Sequence, residues 1–216
     1  MKNLKIKNQN GRSMIEMLGV LAIIGVLSVG GIAGYSKAMM KYRINKTIEQ
    51  ITLIAGNVRA FWGPQKNYIG VYCTCDSAGC SGQSSKDGCP IVKKAKIFPD
   101  EMITVTDGKI MSITNPFGGE VGLNSYNGVH TVSKNGKGAF EISFFSIPEE
   151  ACIEILSHDW SVSSATYVCT VAPYPHCTAT PADLEKVMTI CTKEAYQNGI
   201  IIEFDGYYNF ETEFID

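Results

Sequence analysis

The hydrophobic pattern divides the chain into three regimes. From Met17 to Ala33 no side chain is charged, and Ser28 is the only one with a hydroxyl. A run of that length is at the short end of what crosses a bilayer as a helix. Beyond it, Ile44, Ile48, Ile51, Ile54, Val58 and Phe61 recur at gaps of three and four, while Lys41, Lys46, Glu49, Asn57 and Arg59 occupy the other faces. That is the period of an amphipathic helix, and Gly63-Pro64 ends it. The two stretches join into one predicted helix of about 50 residues and about 75 Å, apolar all round in its first half. Gly25, Gly30, Gly31 and Gly34 are expected to soften it, each at about 1 kcal/mol against Ala in water. Gly30 and Gly34 also make a small-xxx-small pair that admits close helix packing.

The third regime starts irregular, with the Gly/Ser/Cys-rich tract "CTCDSAGCSGQSSKDGC" inside residues 64 to 100. Alternation then predicts strands at Met102 to Thr106, Lys109 to Thr114, Glu120 to Leu123, Val129 to Ser133 and Ala139 to Phe145. Turn signals separate them: Asp107-Gly108, Asn115-Pro116, Gly118-Gly119, Asn127-Gly128 and Asn135-Gly136. The expected arrangement is an antiparallel meander. Two short helices follow. "SIPEEACIEIL" offers Ser146 as N-cap, Pro148 near the first turn and Glu149 and Glu150 at the positive end. "TPADLEKVMTIC" offers Thr180 as N-cap and Pro181 at the first helical position, with Leu184, Val187, Met188 and Cys191 on one face. Cys152 shares the apolar side of its helix with Ala151, Ile155 and Leu156. Thr166 to Val171 and "GIIIEF" (199 to 204) read as further strands.

Charge and cysteine usage narrow the function. The net charge is −2, with no electrostatic footprint for nucleic acid. About 150 residues follow the predicted helix, enough for one domain with its own core. All eight cysteines, at 73, 75, 80, 89, 152, 169, 177 and 191, lie beyond the apolar run. An even number on one side of a membrane segment reads as disulfides in an oxidising compartment. Flanking charges are balanced: Lys2, Lys5, Lys7 and Arg12 before the run, Lys37, Lys41, Arg43 and Lys46 after it. The cysteines therefore decide orientation, and place the C-terminal part outside the cytoplasm. Cys73, Cys75, Cys80 and Cys89 admit three disulfide connectivities, or one zinc ion, although C-x-C-x4-C-x8-C is not a common zinc spacing. His130, His158 and His176 stand far apart in no catalytic motif, and there is no phosphate loop or EF-hand run. Asp100, Glu101 and Asp107 could touch calcium, although an exposed polar turn explains them as well, and Lys93, Lys94 and Lys96 read as a solvated loop. The reading is a non-enzyme with no cofactor and no bound metal.

Glu16 stands at the mouth of the apolar run, where a carboxylate is costly to bury unless a cation meets it. Gly11 lies five residues before it. This glycine, acid and long apolar helix resemble the prepilin signal of type IV pilins and type II secretion pseudopilins. "FPDEMI", "NPFGGEV", "SIPEEAC", "MTICTKEA" and the closing "GIIIEF", taken in order, look most like the type IVb (PilS-type) branch, and the tract 73–89 looks like an insertion within it. The resemblance implies cleavage after Gly11 by a prepilin peptidase, N-methylation of the new N-terminus at Arg12, and Glu16 as the acidic assembly residue. Arg12 departs from the aromatic or apolar residue usual there.

The fold implied is α+β: a long N-terminal helix packed on an antiparallel sheet, with a disulfide-closed C-terminal region. Residues 1–11 would be the leader. Residues 12–62 would form the helix, with 12–35 as its membrane or filament-core part, and 63–216 the head. By the same resemblance Cys152 and Cys191 are the long staple, which leaves Cys169 and Cys177 to pair locally. The function implied is structural: a precursor held in the bacterial inner membrane with its head outside the cytoplasm, and a homopolymeric extracellular pilus once assembled. Its partners would be further copies of itself, the peptidase and the pilus or type II secretion machinery. One alternative is a pseudopilin of a type II secretion system. Another is a secreted or anchored Cys-rich binding domain, whose conventional signal would be cut near Gly31-Ile32-Ala33.

Overall fold

The computed structural model describes residues 14–65, 68, 71–76, 79–81, 89–125, 139–160, 163, 165–170, 176–191 and 199–204. The expected strand Val129 to Ser133, the turns at 127–128 and 135–136, and His130 lie outside the described residues. The chain clusters into two units, 1–42 and 43–216. One continuous helix, α1 (Met14–Trp62), contributes to both and closes into a 3₁₀ turn at Gly63–Gln65. Its glycines cause no break in the helix.

In the second unit the buried line of α1 is Ile44, Thr47, Ile51, Ile54, Ala55, Val58 and Trp62. Phe61, expected on that line, is exposed, and Trp62 is buried in its place. The line advances by three or four residues per turn, and at its end the larger indole takes the core side. After α1 come β1 (Tyr72–Asp76), β2 (Gly79–Ser81), α2 (Pro90–Lys94), a 3₁₀ turn (Asp100–Met102), β3 (Ile103–Thr106), β4 (Lys109–Ile113), β5 (Val121–Asn124) and β6 (Phe140–Phe144). They are followed by α3 (Glu149–Leu156), β7 (Ala165–Thr170), β8 (His176–Ala179), α4 (Leu184–Ile190) and β9 (Ile200–Phe204).

Seven strands form one antiparallel sheet in the order β2-β1-β5-β6-β9-β7-β8, and β3 and β4 form a separate hairpin. The expected meander is therefore divided. Asp107 and Gly108 both take positive φ, 50° and 79°, as a two-residue primed hairpin turn requires. That hairpin pairs with itself and lies against β1 and β2. Phe140, Ile142 and Phe144 of β6 face the core with Ile202 and Phe204 of β9, and the Phe140 and Phe204 rings stack at 5.1 Å.

The "NPFGGEV" stretch makes the turn that feeds β5. The Asn115 side chain accepts from the N–H of Phe117 (2.8 Å) and of Gly119 (3.2 Å), and its Nδ2 donates to the Phe145 carbonyl at 2.8 Å. Gly119 is needed because a Cβ there would lie 1.9 Å from that same carbonyl oxygen. Asn115 is 5 % exposed, so Asn115→Ala strands buried donors and an acceptor. The expected cost is about 2–3 kcal/mol, checked as a lowered denaturant midpoint at unchanged slope.

Two capping expectations are corrected. Ser146 has φ 56° and lies outside α3; Pro148 holds the N-cap position, and the helical ladder begins with Cys152 N–H donating to the Pro148 carbonyl. Thr180 does not cap α4, because its hydroxyl donates to the Ala165 carbonyl of β7, and the Thr180-Pro181 bond is cis. Asp183 is the cap, accepting from Glu185 N–H at 3.1 Å. The buried side of α4 is Val187, Ile190 and Cys191, while Leu184 and Met188 are exposed. The staple from Cys191 to Cys152 turns that edge toward α3.

Four disulfides close the head: Cys73–Cys89, Cys75–Cys80, Cys152–Cys191 and Cys169–Cys177. The spacing of 73, 75, 80 and 89 left three connectivities and a metal open; the structure holds two nested disulfides. Cys75–Cys80 and Cys169–Cys177 each join residues directly opposite in register, across β1–β2 and β7–β8. Cys73–Cys89 joins β1 to the N-cap of α2.

Candidate assembly site

The first unit is the start of α1, and nearly every large side chain on it is bare. Ile15, Val26 and Val29 are 75, 75 and 71 % exposed, and Leu18, Leu21, Ile23, Leu27 and Ile32 are exposed with them. The best 18-residue window has a mean hydropathy of 2.2. The helix is long and apolar enough to cross a membrane. A continuous apolar surface of this size is a binding surface or a membrane surface.

Two local features fit an environment without water. Ser28 Oγ donates to the Ile24 carbonyl at 2.7 Å, so its hydroxyl is satisfied within the helix. A Cβ on Gly19, Gly25, Gly30, Gly31 or Gly34 would meet nothing within 4 Å. No packing among the described residues therefore requires those glycines. Glu16 lies in the first turn of α1, where the helix dipole favours an anion. Gly11 and Arg12 lie outside the described residues.

Within the second unit, polar side chains fasten the rest of α1 to the head. Asn57 Nδ2 donates to the carbonyls of Ile97 (3.0 Å) and Lys96 (3.3 Å). The Arg59 guanidinium sits over the Phe204 and Phe140 rings, at 5.2 and 5.8 Å, a cation–π contact with the two central strands. Lys46 pairs with Glu101 at 2.8 Å and with Glu49 at 3.2 Å, and Gln50 Nε2 donates to Glu101 at 3.4 Å. Those hydrogen bonds raise the Lys46 pKa above its usual value and hold the Glu101 carboxyl below its own. Both groups are open to solvent, so the pair adds little stability. The sequence pattern marked Lys46, Asn57 and Arg59 only as outward-facing; what it lacked was their partners, tens of residues away.

The family model described as PilS N terminal matches residues 41–203, about three quarters of the chain. The chain belongs to this family of type IVb pilins. Pilins are structural subunits. Among the described residues of this pilin, His158 is exposed with its ring edge-on to Trp160, and His176 begins β8. Comparison with curated protein sequences found no match. Among solved structures, the crystal structure of the type IVb pilin from Salmonella typhi is similar with a TM-score of 0.49 at 13 % identity, over 76 % of this pilin and 99 % of that chain. The family match begins at Lys41. It does not reach Gly11, Arg12 or Glu16.

Proposed function

We propose that this pilin is made as an inner-membrane precursor with its head outside the cytoplasm, cut between Gly11 and Arg12 by a prepilin peptidase, methylated at Arg12, and polymerised into an extracellular type IVb-like pilus. The supporting observation is the exposed, all-round apolar start of α1, with Glu16 in its first turn. In this reading residues 1–11 are the leader. Residues 12–62 are the assembly helix, with 12–35 forming the membrane or filament-core part, and 63–216 are the displayed head with the stapled insertion 73–89.

The chemistry follows from the cut. Hydrolysis after Gly11 leaves a free α-amino group on Arg12, four residues before Glu16. In the membrane, Glu16 sits at headgroup level. In a filament built from these helices it is withdrawn from water and needs a cation. The new amine of a neighbouring subunit supplies one, with the Arg12 guanidinium as a second. A buried ion pair adds little net stability, but one charge left alone costs about 3–5 kcal/mol. The pair therefore works as a register device, admitting a subunit only at the matching axial stagger.

The test is the intact mass and N-terminal peptide of the membrane-extracted protein. A chain beginning at Arg12 with one added methyl is the expected result. An uncut Met1, or an N-terminus beyond Ala33, overturns the reading.

A further inference from the structure

Glu141 of β6 stands directly opposite Glu203 of β9 in the antiparallel register. Strand alternation puts both on the sheet face away from Phe140, Ile142 and Phe144. They belong to one cross-sheet row: Tyr72 of β1, Asn124 of β5, Glu141, Glu203 and Tyr167 of β7. Directly opposed residues have Cβ atoms about 5 Å apart. Glu203 is only 6 % exposed, and Glu141 is half-buried. Two carboxyl groups borne on directly opposed positions and largely shielded from water do not both ionise without cost, and they titrate as a pair.

The described groups around Glu141 are Asn124 from β5, whose Nδ2 donates to Glu141 Oε1 at 3.4 Å, Glu203 from β9, and Ser143 two residues along β6. Among the described residues, Ile201 along β9 and the Tyr167 position of β7 lie beside Glu203 in the sheet. Arg59 is on the other face, against the Phe140 and Phe204 rings. The position in the sheet matters as much. The β6–β9 junction joins the block β2-β1-β5-β6 to the block β9-β7-β8.

We propose that Glu141 and Glu203 share one proton across this junction, as an acid-favoured lock between the two blocks of the sheet. With the proton present, one carboxyl donates and the other accepts. When it leaves, two negative charges face each other and the junction loosens. The Glu141 carboxyl is pushed up to about 7, first by burial and second by the Glu203 charge, against a smaller opposing pull from the Asn124 hydrogen bond. The sign follows. Between the unfolded carboxyl value and about 7 the folded head keeps a proton that the unfolded chain has lost, so stability falls as pH rises through that window and levels off above it.

The experiment is thermal unfolding of the full-length protein in detergent micelles at pH 5 and pH 8. The wild type is expected to lose roughly 5–10 °C in Tm between them, and Glu141→Gln to remove most of that loss. An equal loss in Glu141→Gln overturns the lock. A second readout needs no variant: amide exchange of β6 and β9, corrected for intrinsic rates, is expected to be faster at pH 8 than at pH 5. Unchanged protection of both strands overturns the proposal.

Discussion

Glu16→Ala is expected to abolish filaments while leaving the precursor in the membrane and its head folded. On the proposed pairing, the substitution would leave a neighbour's Arg12 amine in the filament core without a counter-charge. The cost of about 3–5 kcal/mol per contact would raise the subunit concentration needed for growth by roughly a hundred- to several thousand-fold. The measurement is filament yield by electron microscopy, beside head integrity by non-reducing gel. Glu16→Gln separates charge from size: it keeps the shape and loses the ion pair, so it too is expected to fail. Filaments at wild-type yield from either variant would reduce Glu16 to a marker of the headgroup boundary. The glycines give an internal control. Among the described residues nothing stands within 4 Å of a Cβ at Gly30 or Gly34, so Ala at either is expected to leave the isolated subunit intact, and a defect it causes is assigned to assembly.

The second large effect is in the head. Replacing both Cys152 and Cys191 by Ser is expected to cost about 3–4 kcal/mol, because the bond closes a loop of 39 residues in sequence. Removing Cys169 and Cys177 together opens a loop of only 8, and the chain-entropy model makes that change about 1 kcal/mol milder. The check is the denaturant midpoint of each double variant under non-reducing conditions. Double replacement matters, since a single serine leaves a buried thiol behind. Equal costs would mean that strand pairing, which already holds Cys169 opposite Cys177, dominates over loop closure.

How much of this was legible in the sequence depended on how local the cause was. The helix was readable because each buried side chain of α1 repeats every turn, and the β3–β4 hairpin because Asp107-Gly108 dictates its own turn. The caps of α3 and α4 were misplaced for tertiary reasons. The Thr180 hydroxyl is drawn to β7, and the staple to Cys152 rotates α4, leaving Leu184 and Met188 exposed. β1 and β2 were missed because "YCTCD" and "GCS" have little of the β-branched content that marks strands, and register with a distant strand supplies what composition does not. The separation of β3–β4 from the larger sheet was equally unreadable, since alternation reports a buried face and says nothing about which neighbour shares it. At the candidate assembly site, Glu16 was found from a charge at the edge of an apolar run, whereas Gly11 and Arg12 came from resemblance alone.

The place of β9 bears on the order of events during folding. This strand, Ile200–Phe204, is the last described element, yet it lies between β6 and β7. Synthesis or translocation that has delivered everything up to α4 has delivered two half-sheets with open, pairing-competent edges at β6 and β7. Long-range pairing of this kind is slow and exposes a chain to aggregation until it is complete. The head therefore cannot mature progressively as it emerges. It waits for β9, and a chain released before that strand is delivered presents two open, sticky edges to chaperones and proteases.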